Sequence, residues 1–345
     1  MVMVGGGSTF TVSNALDIGN SGTGILEALG KGSIFSGAAS IGHLAGSDGQ
    51  VLVTGLGSGW LVSGALEVGD AGTGGLVVEK GGSVVSGAGN VGNQAGSSGT
   101  VDINDAEWKL DGDLMVGAGG SGSVTVENLG MLVDFNASVG AAAGAEGMVV
   151  LDDGVWSNSG RLDIGVGGAG EVMVENNGQL TAGDTTVGSE GSLIVDPAIV
   201  DVDGDFTLDA GGLLALDIAG DNPGDNPGSY SQLDITGSGT FDGTIDFDFI
   251  DGFIPQTGET FDLINAAGGA DLSGATIEIE GLAPGFEYSE SFANGEFILT
   301  ALNDGASPTP EPGAAWLLSG ALGLLLVGLR LRSARRSAGC RSPSR

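Results

Sequence analysis

The chain lacks almost everything that metal and nucleophile chemistry needs. Its single cysteine is Cys340, near the C-terminus. No intramolecular disulfide can form, and no thiolate metal site exists. Its single histidine is His43, which rules out a histidine cluster. His43 lies in Ile41-Gly42-His43-Leu44, at a repeat position that Asn93 fills one unit later, and reads as an exposed turn side chain. Basic residues are equally scarce. Only Lys31, Lys80, Lys109 and Arg161 precede residue 330, while residues 1–310 carry 43 acids, so that body is close to −39. A phosphate backbone would be repelled, which excludes nucleic-acid binding. With only 9 prolines, and glycines that do not recur every third residue, the chain is not collagen.

What is abundant is glycine. The 345 residues include 69, far above the usual ~7%. Short runs of Val, Ile and Leu alternate with polar residues, and 41% of the chain is hydrophobic, so it can bury apolar surface rather than remain disordered. Glycine plus alternating aliphatics predicts many short strands joined by tight turns.

The strands repeat. Trp60, Trp108 and Trp156 are 48 residues apart, and each is followed by a Leu-x-[Val/Ile]-Gly element: Leu66–Gly69, Leu114–Gly117 and Leu162–Gly165. An earlier copy is Leu16–Gly19. An aliphatic-Gly step recurs at Gly19, Gly42, Gly69, Gly92, Gly117, Gly140, Gly165 and Gly188, with gaps of 23, 27, 23, 25, 23, 25 and 23. The unit is therefore double, with halves of about 24 residues. Glycine permits φ > 0 and marks corners, while Val124-Thr125-Val126 and Val172-Met173-Val174 have strand periodicity. One half-unit holds three short strands plus corners. Stacked in register at ~4.8 Å, such coils make a parallel β-helix with inward aliphatic ladders. Gly69 and Gly117 are then expected at equivalent corners, ~9.6 Å apart along the axis.

The expected architecture is all-β: a parallel β-helix over 2–204, a C-terminal β cap or small β domain over 205–301, a linker over 302–312, one transmembrane helix over 313–331 and a basic tail over 332–345. A cap is needed because an open β-helix end is an unpaired sheet edge. Asp221–Gly228 holds a duplicated Asp-Asn-Pro-Gly turn and is expected to be an exposed loop. Residues 5–16 match residues 55–66, with Phe10 in the place of Trp60. The chain thus starts inside a repeat and shows no signal peptide, so further coils and a leader are expected upstream of Met1.

The Leu-x-[Val/Ile]-Gly element, the Gly-x-Gly turn and the recurring Trp resemble the repeat shared by type V secretion (autotransporter) passengers and PEP-CTERM proteins. The resemblance covers roughly residues 2–204. Tyr230 through Ala266 is similar to the region that closes such passengers.

The C-terminus carries the most specific motif. Pro310-Glu311-Pro312 precedes Gly313–Leu329, a run of 17 residues without charge, and Arg330, Arg332, Arg335 and Arg336 follow. An uncharged run of this length is at the short end for a membrane span, and its basic flank predicts a cytoplasmic C-terminus. These three parts in order resemble the PEP-CTERM sorting signal. The resemblance implies an exosortase-type processing enzyme as partner, export by a Gram-negative bacterium, membrane anchoring before processing, and then a place on the cell surface or in an exopolysaccharide matrix. The tail from Ser337 to Arg345 is longer than the family's usual ending.

Other chemistry is sparse. Asp201, Asp203 and Asp205 put alternate carboxylates on one extended segment, with Asp196 nearby, and are the best candidates for Ca²⁺, which takes about six to eight oxygens. An exposed turn between coils is the favoured reading there, and no cofactor is assigned. Asp152-Asp153 and the Asp111/Asp113 pair are the available carboxylates for glycoside hydrolysis, and nothing in the sequence marks one of them as an acid. The three tryptophans fit a structural ladder better than a sugar-stacking surface. The expected function is a structural or adhesive surface protein rather than an enzyme. The alternatives are a polysaccharide-modifying β-helix enzyme and a Ca²⁺-stabilised adhesin.

Overall fold

The computed structural model describes residues 1–224, 228–293 and 295–304. All regular structure among them is β, with no helix. Between Val2 and Leu208 the chain winds through nine coils, each lining three faces, with one continuous strand, Gly59–Val68 or Ser83–Val91, spanning the second and third faces in two of them. Every strand pairing in this stretch is parallel, as in Thr73–Glu79 beside Ser98–Asn104, so the region is a β-solenoid. Nine coils at ~4.8 Å make a rod about 40 Å long.

The first face holds mostly seven-residue strands, such as Ser121–Glu127 and Glu146–Asp152. The second carries the tryptophans, on strands such as Glu107–Leu110 and Val155–Asn158. The third holds short strands such as Leu114–Val116 and Leu162–Ile164. Alternation along each strand sends every second side chain inward, and the register stacks like positions. On the tryptophan face the inward rung runs Ile34, Trp60, Val84, Trp108, Leu132, Trp156, Leu180. On the short face it is the aliphatic residue before each repeat glycine, through Val68, Val91, Val116, Val139 and Ile164. These residues are buried. A single coil cannot enclose its inner face, so burial comes from stacking.

Two features explain the repeat arithmetic. The corner from the short to the long face alternates between a tight form, such as 70–72 or 118–120, and a longer one, such as 93–97 or 141–145. Each longer corner leads into a coil that carries a tryptophan. The 27-residue gap adds the wide turn 55–58, where the next unit has only 105–106.

The repeat glycines occupy left-handed corners: Gly19, Gly42, Gly69, Gly92, Gly117, Gly140 and Gly165 have φ between 66 and 74°. Gly69 and Gly117 thus sit at equivalent corners, both with φ of 70°. Gly188, the last of the series, is not in the left-handed region. The corner from the long to the tryptophan face also needs positive φ, supplied by glycines such as Gly30 and Gly81 and by non-glycine residues including Lys80, Asn128 with Leu129, Asp153, and Asn176 with Asn177. Asn and Asp tolerate this conformation best among non-glycine residues.

Parallel stacking continues past residue 204. Phe206–Leu208 pairs with Gly239–Phe241, and Leu213–Ile218 pairs with Thr244–Phe249, which pairs with Thr276–Glu280. The coils lengthen here: Asp201 is in register with Asp234, 33 positions on. The extra chain forms an excursion that includes the short strands Asn222–Pro223 and Ser229–Tyr230. The stack ends in antiparallel pairing of Thr260–Ala266 with Glu296–Ala301, which in turn pairs with Tyr288–Ala293. Aromatic rings fill the interior at this end, with Phe247 and Phe297 stacked at 5.2 Å and Phe249 edge-on to Phe261 at 5.6 Å. On that sheet the antiparallel strands cover the edge that another coil would have extended, while the first face ends in Thr276–Glu280 as a parallel edge strand.

Candidate functional site

The tryptophans are not a sugar-binding surface. Trp60, Trp108 and Trp156 are at most 1% exposed. Each indole Nε1 donates to a polar side chain of the preceding coil: Ser36 Oγ at 3.1 Å, Ser86 Oγ at 3.1 Å and Asp134 Oδ2 at 2.5 Å.

A concave surface lies near the C-terminal end of the tryptophan face. It is a groove of about 480 Å³ whose lining includes Asp201, Asp203, Asp234, Asp262, Asn265 and Glu296. Strand register assembles it. Asp201 neighbours Asp234, Asp234 neighbours Asn265, and Asn265 neighbours Glu296. All occupy outward positions of successive strands. Asn265 Nδ2 donates to Asp234 Oδ1 at 2.9 Å. Partial burial, then the charges of Asp234 and Asp203, push the Asp201 carboxyl above its ordinary range. Burial, then Glu296, does the same for Asp262, whose Oδ1 has no hydrogen-bond partner.

Of the three aspartates singled out from sequence, Asp201 and Asp203 enter this groove and Asp205 does not. Asp205 caps a corner instead. Its Oδ1 accepts the backbone N–H of Ser238 at 2.7 Å and the Ser238 hydroxyl at 2.9 Å, which hold its carboxyl below the usual range. The same corner is capped in other coils by Asn136 Oδ1, which accepts from Arg161 N, and by Asp184 Oδ1, which accepts from Asp205 N. Among the described residues, no three His, Cys, Asp or Glu side chains converge as a metal site would require.

The proposed hydrolytic pairs are also dispersed. Asp111 lies 3.6 Å from Lys109, and Asp113 accepts from Asn136 Nδ2 at 2.8 Å. Asp152 accepts from Asn176 Nδ2 at 3.0 Å, and Asp153 is a corner residue with φ of 55°. Asp152 belongs to a column of carboxylates along one margin of the long face. Glu127, Asp152, Glu175 and Asp196 are register neighbours in successive coils.

His43 sits at a corner as expected, but it is engaged rather than free. Its Nδ1 donates to Asp70 Oδ2 at 2.9 Å. Asp70 Oδ1 accepts from Asn93 Nδ2 at 2.9 Å and Gln94 Nε2 at 2.8 Å. Burial opposes the Asp70 charge, yet Gln94, Asn93 and His43 together hold its carboxyl below the usual range. Sequence inspection missed Asp70 because its partners are about 24 residues away on either side.

Pro310, Glu311, Pro312, Arg330, Arg332, Arg335 and Arg336, and the helix expected over 313–331, lie outside the described residues. Among the described residues, no helix is long and apolar enough to cross a membrane. In comparisons with known proteins, the chain matches no family model and no curated protein.

Proposed function

We propose that this chain is an exported structural or adhesive protein, sorted through its C-terminal signal to the cell surface or the exopolysaccharide matrix of a Gram-negative bacterium. The observation that carries this reading is the order Pro310-Glu311-Pro312, 17 uncharged residues, then Arg330, Arg332, Arg335 and Arg336. In this reading the uncharged run crosses the membrane, with the arginines held on the cytoplasmic side. Each arginine costs ~2.5–3.5 kcal/mol at the bilayer centre. Pro310-Glu311-Pro312 then lies at the outer surface, within reach of an exosortase-type enzyme.

The body suits that destination. A stacked β rod gives reach and a long lateral surface, and a charge near −39 keeps it solvated. Acidic matrix polysaccharide would be held through bridging cations or through uncharged stretches. The test is to follow the protein in an exosortase-bearing host, with and without residues 308–345. Surface or matrix protein that disappears on deletion supports the proposal. An unchanged distribution overturns it.

The acid-lined groove favours a second reading, glycoside hydrolysis, because burial and like charges hold the Asp201 and Asp262 carboxyls up. New reducing ends after incubating the purified protein with host exopolysaccharide would establish it. Their absence leaves the structural reading in place.

A further inference from the structure

All three tryptophan coils hydrogen-bond the indole to the preceding coil, but the residues at that contact differ. In the first, Trp60 donates to Ser36, whose register neighbour is Val62. In the second, Trp108 donates to Ser86, whose neighbour is Leu110. In the third, Trp156 donates to Asp134, whose neighbour is Asn158. A serine–aliphatic pair in the core has become a carboxyl–amide pair. Asp134 and Asn158 are each only 2% exposed, as buried as the residues they replace. Asp134 Oδ1 accepts from Asn158 Nδ2, and Asn158 Oδ1 has no hydrogen-bond partner.

We propose that this third tryptophan coil is a pH-sensitive weak point of the solenoid, closed when Asp134 is protonated and loosened when it ionises. Two neutral donors face the carboxyl, and no cation offsets its charge. The one charge acting on it among the described residues is Asp113 of the preceding coil, also negative. A protonated acid fits the same neighbours, with the Asn158 amide turned so that its oxygen accepts the acid proton. An ionised one leaves an unpaired charge in an apolar stack.

Burial is the main cause that raises the Asp134 carboxyl to about 7; Trp156 and Asn158 oppose the rise, and Asp113 adds to it. The sign follows from linkage. Below the unfolded value near 4, both states hold the proton and the coil is at full strength. Between about 4 and 7 only the folded coil holds it, so stability falls as pH rises. Above about 7 the loss is complete. At the same position the two earlier sites carry the Ser36 and Ser86 hydroxyls, which do not titrate in this range.

Hydrogen exchange followed by mass spectrometry tests this on the full-length chain in mild detergent. Peptides over 131–158 are compared with those over 33–62 and 83–110, after correction for intrinsic exchange. From pH 4.5 to 7.5, protection of the third coil is expected to fall by at least about tenfold relative to the other two. Asp134→Asn, which keeps the Trp156 acceptor but cannot ionise, is expected to remove that difference. The double change Asp134→Ser with Asn158→Val, which copies the Ser36–Val62 pair of the first site, is expected to do the same. Equal pH dependence in all three wild-type coils would overturn the proposal. So would a difference that survives Asp134→Asn.

Discussion

Substituting alanine at two glycines of similar φ separates the two demands a corner makes. Gly117 and Gly144 have φ of 70° and 78°. Alanine at either position adopts a left-handed backbone, at roughly 1–2 kcal/mol, partly offset by the lower entropy of its unfolded chain. At Gly144 nothing lies within 4 Å of the added Cβ, so the cost ends there, at about 1 kcal/mol. At Gly117 the Cβ would lie 2.4 Å from the carbonyl oxygen of Glu146, in the next coil. That neighbour is backbone and cannot rotate away. Relief requires the coils to part where Glu146 N donates to Gly120 O at 3.0 Å. Overpacking of this kind adds about 1–3 kcal/mol, for a total near 2–4 kcal/mol. Urea unfolding of the full-length chain in mild detergent, followed by the β-sheet circular dichroism signal, measures both. Gly117→Ala is expected to lower the midpoint clearly more than Gly144→Ala. Equal midpoints would mean that the corner glycines serve only backbone conformation, and that coil contact at Gly117 is looser than described.

Trp108→Ala is expected to cost about 3–5 kcal/mol in the same assay and to leave the Ser86 hydroxyl without its donor. Trp108→Leu is expected to cost less, because Leu132 already fills the next position of that rung. The column Glu127, Asp152, Glu175 and Asp196 places like charges ~4.8 Å apart. Raising ionic strength from 0.01 to 0.15 M shortens screening from about 30 to 8 Å and is expected to raise the melting temperature. Asp152→Asn is expected to shrink that salt effect, and a melting temperature that falls with salt would count against repulsion along the column.

The coil was legible because two signals coincide in each half-unit. One is the aliphatic-Gly step, whose glycines from Gly19 through Gly165 share one left-handed corner conformation. The other is the alternation that sends Val124 and Val126 inward and leaves Thr125 half-buried on the outer side. The 48-residue spacing of the tryptophans was a true ladder signal, since large and small residues alternate along one rung. Less legible was what depends on register between distant strands. Asp234 and Glu296 join Asp201 only because longer coils place them at the same outward position. Asp134 sits inward, where the pattern calls for a small or apolar residue, so it reads locally as one more surface acid. Its burial becomes visible only when it is set against Ser36 and Ser86. The second corner was hidden because Lys80, Asn128 and Asp153 do there what glycine does at the first. The proposed sorting signal rests on the order of residues 310–336 alone.

Intact-mass spectrometry of the mature protein, recovered from a Gram-negative host that possesses the processing enzyme, tests the sorting claim most directly. The expected result is loss of the peptide beyond about Pro312, which removes Cys340 and all six C-terminal arginines. A mass that still includes the chain through Arg345 would contradict processing and leave the C-terminal segment as a plain membrane anchor.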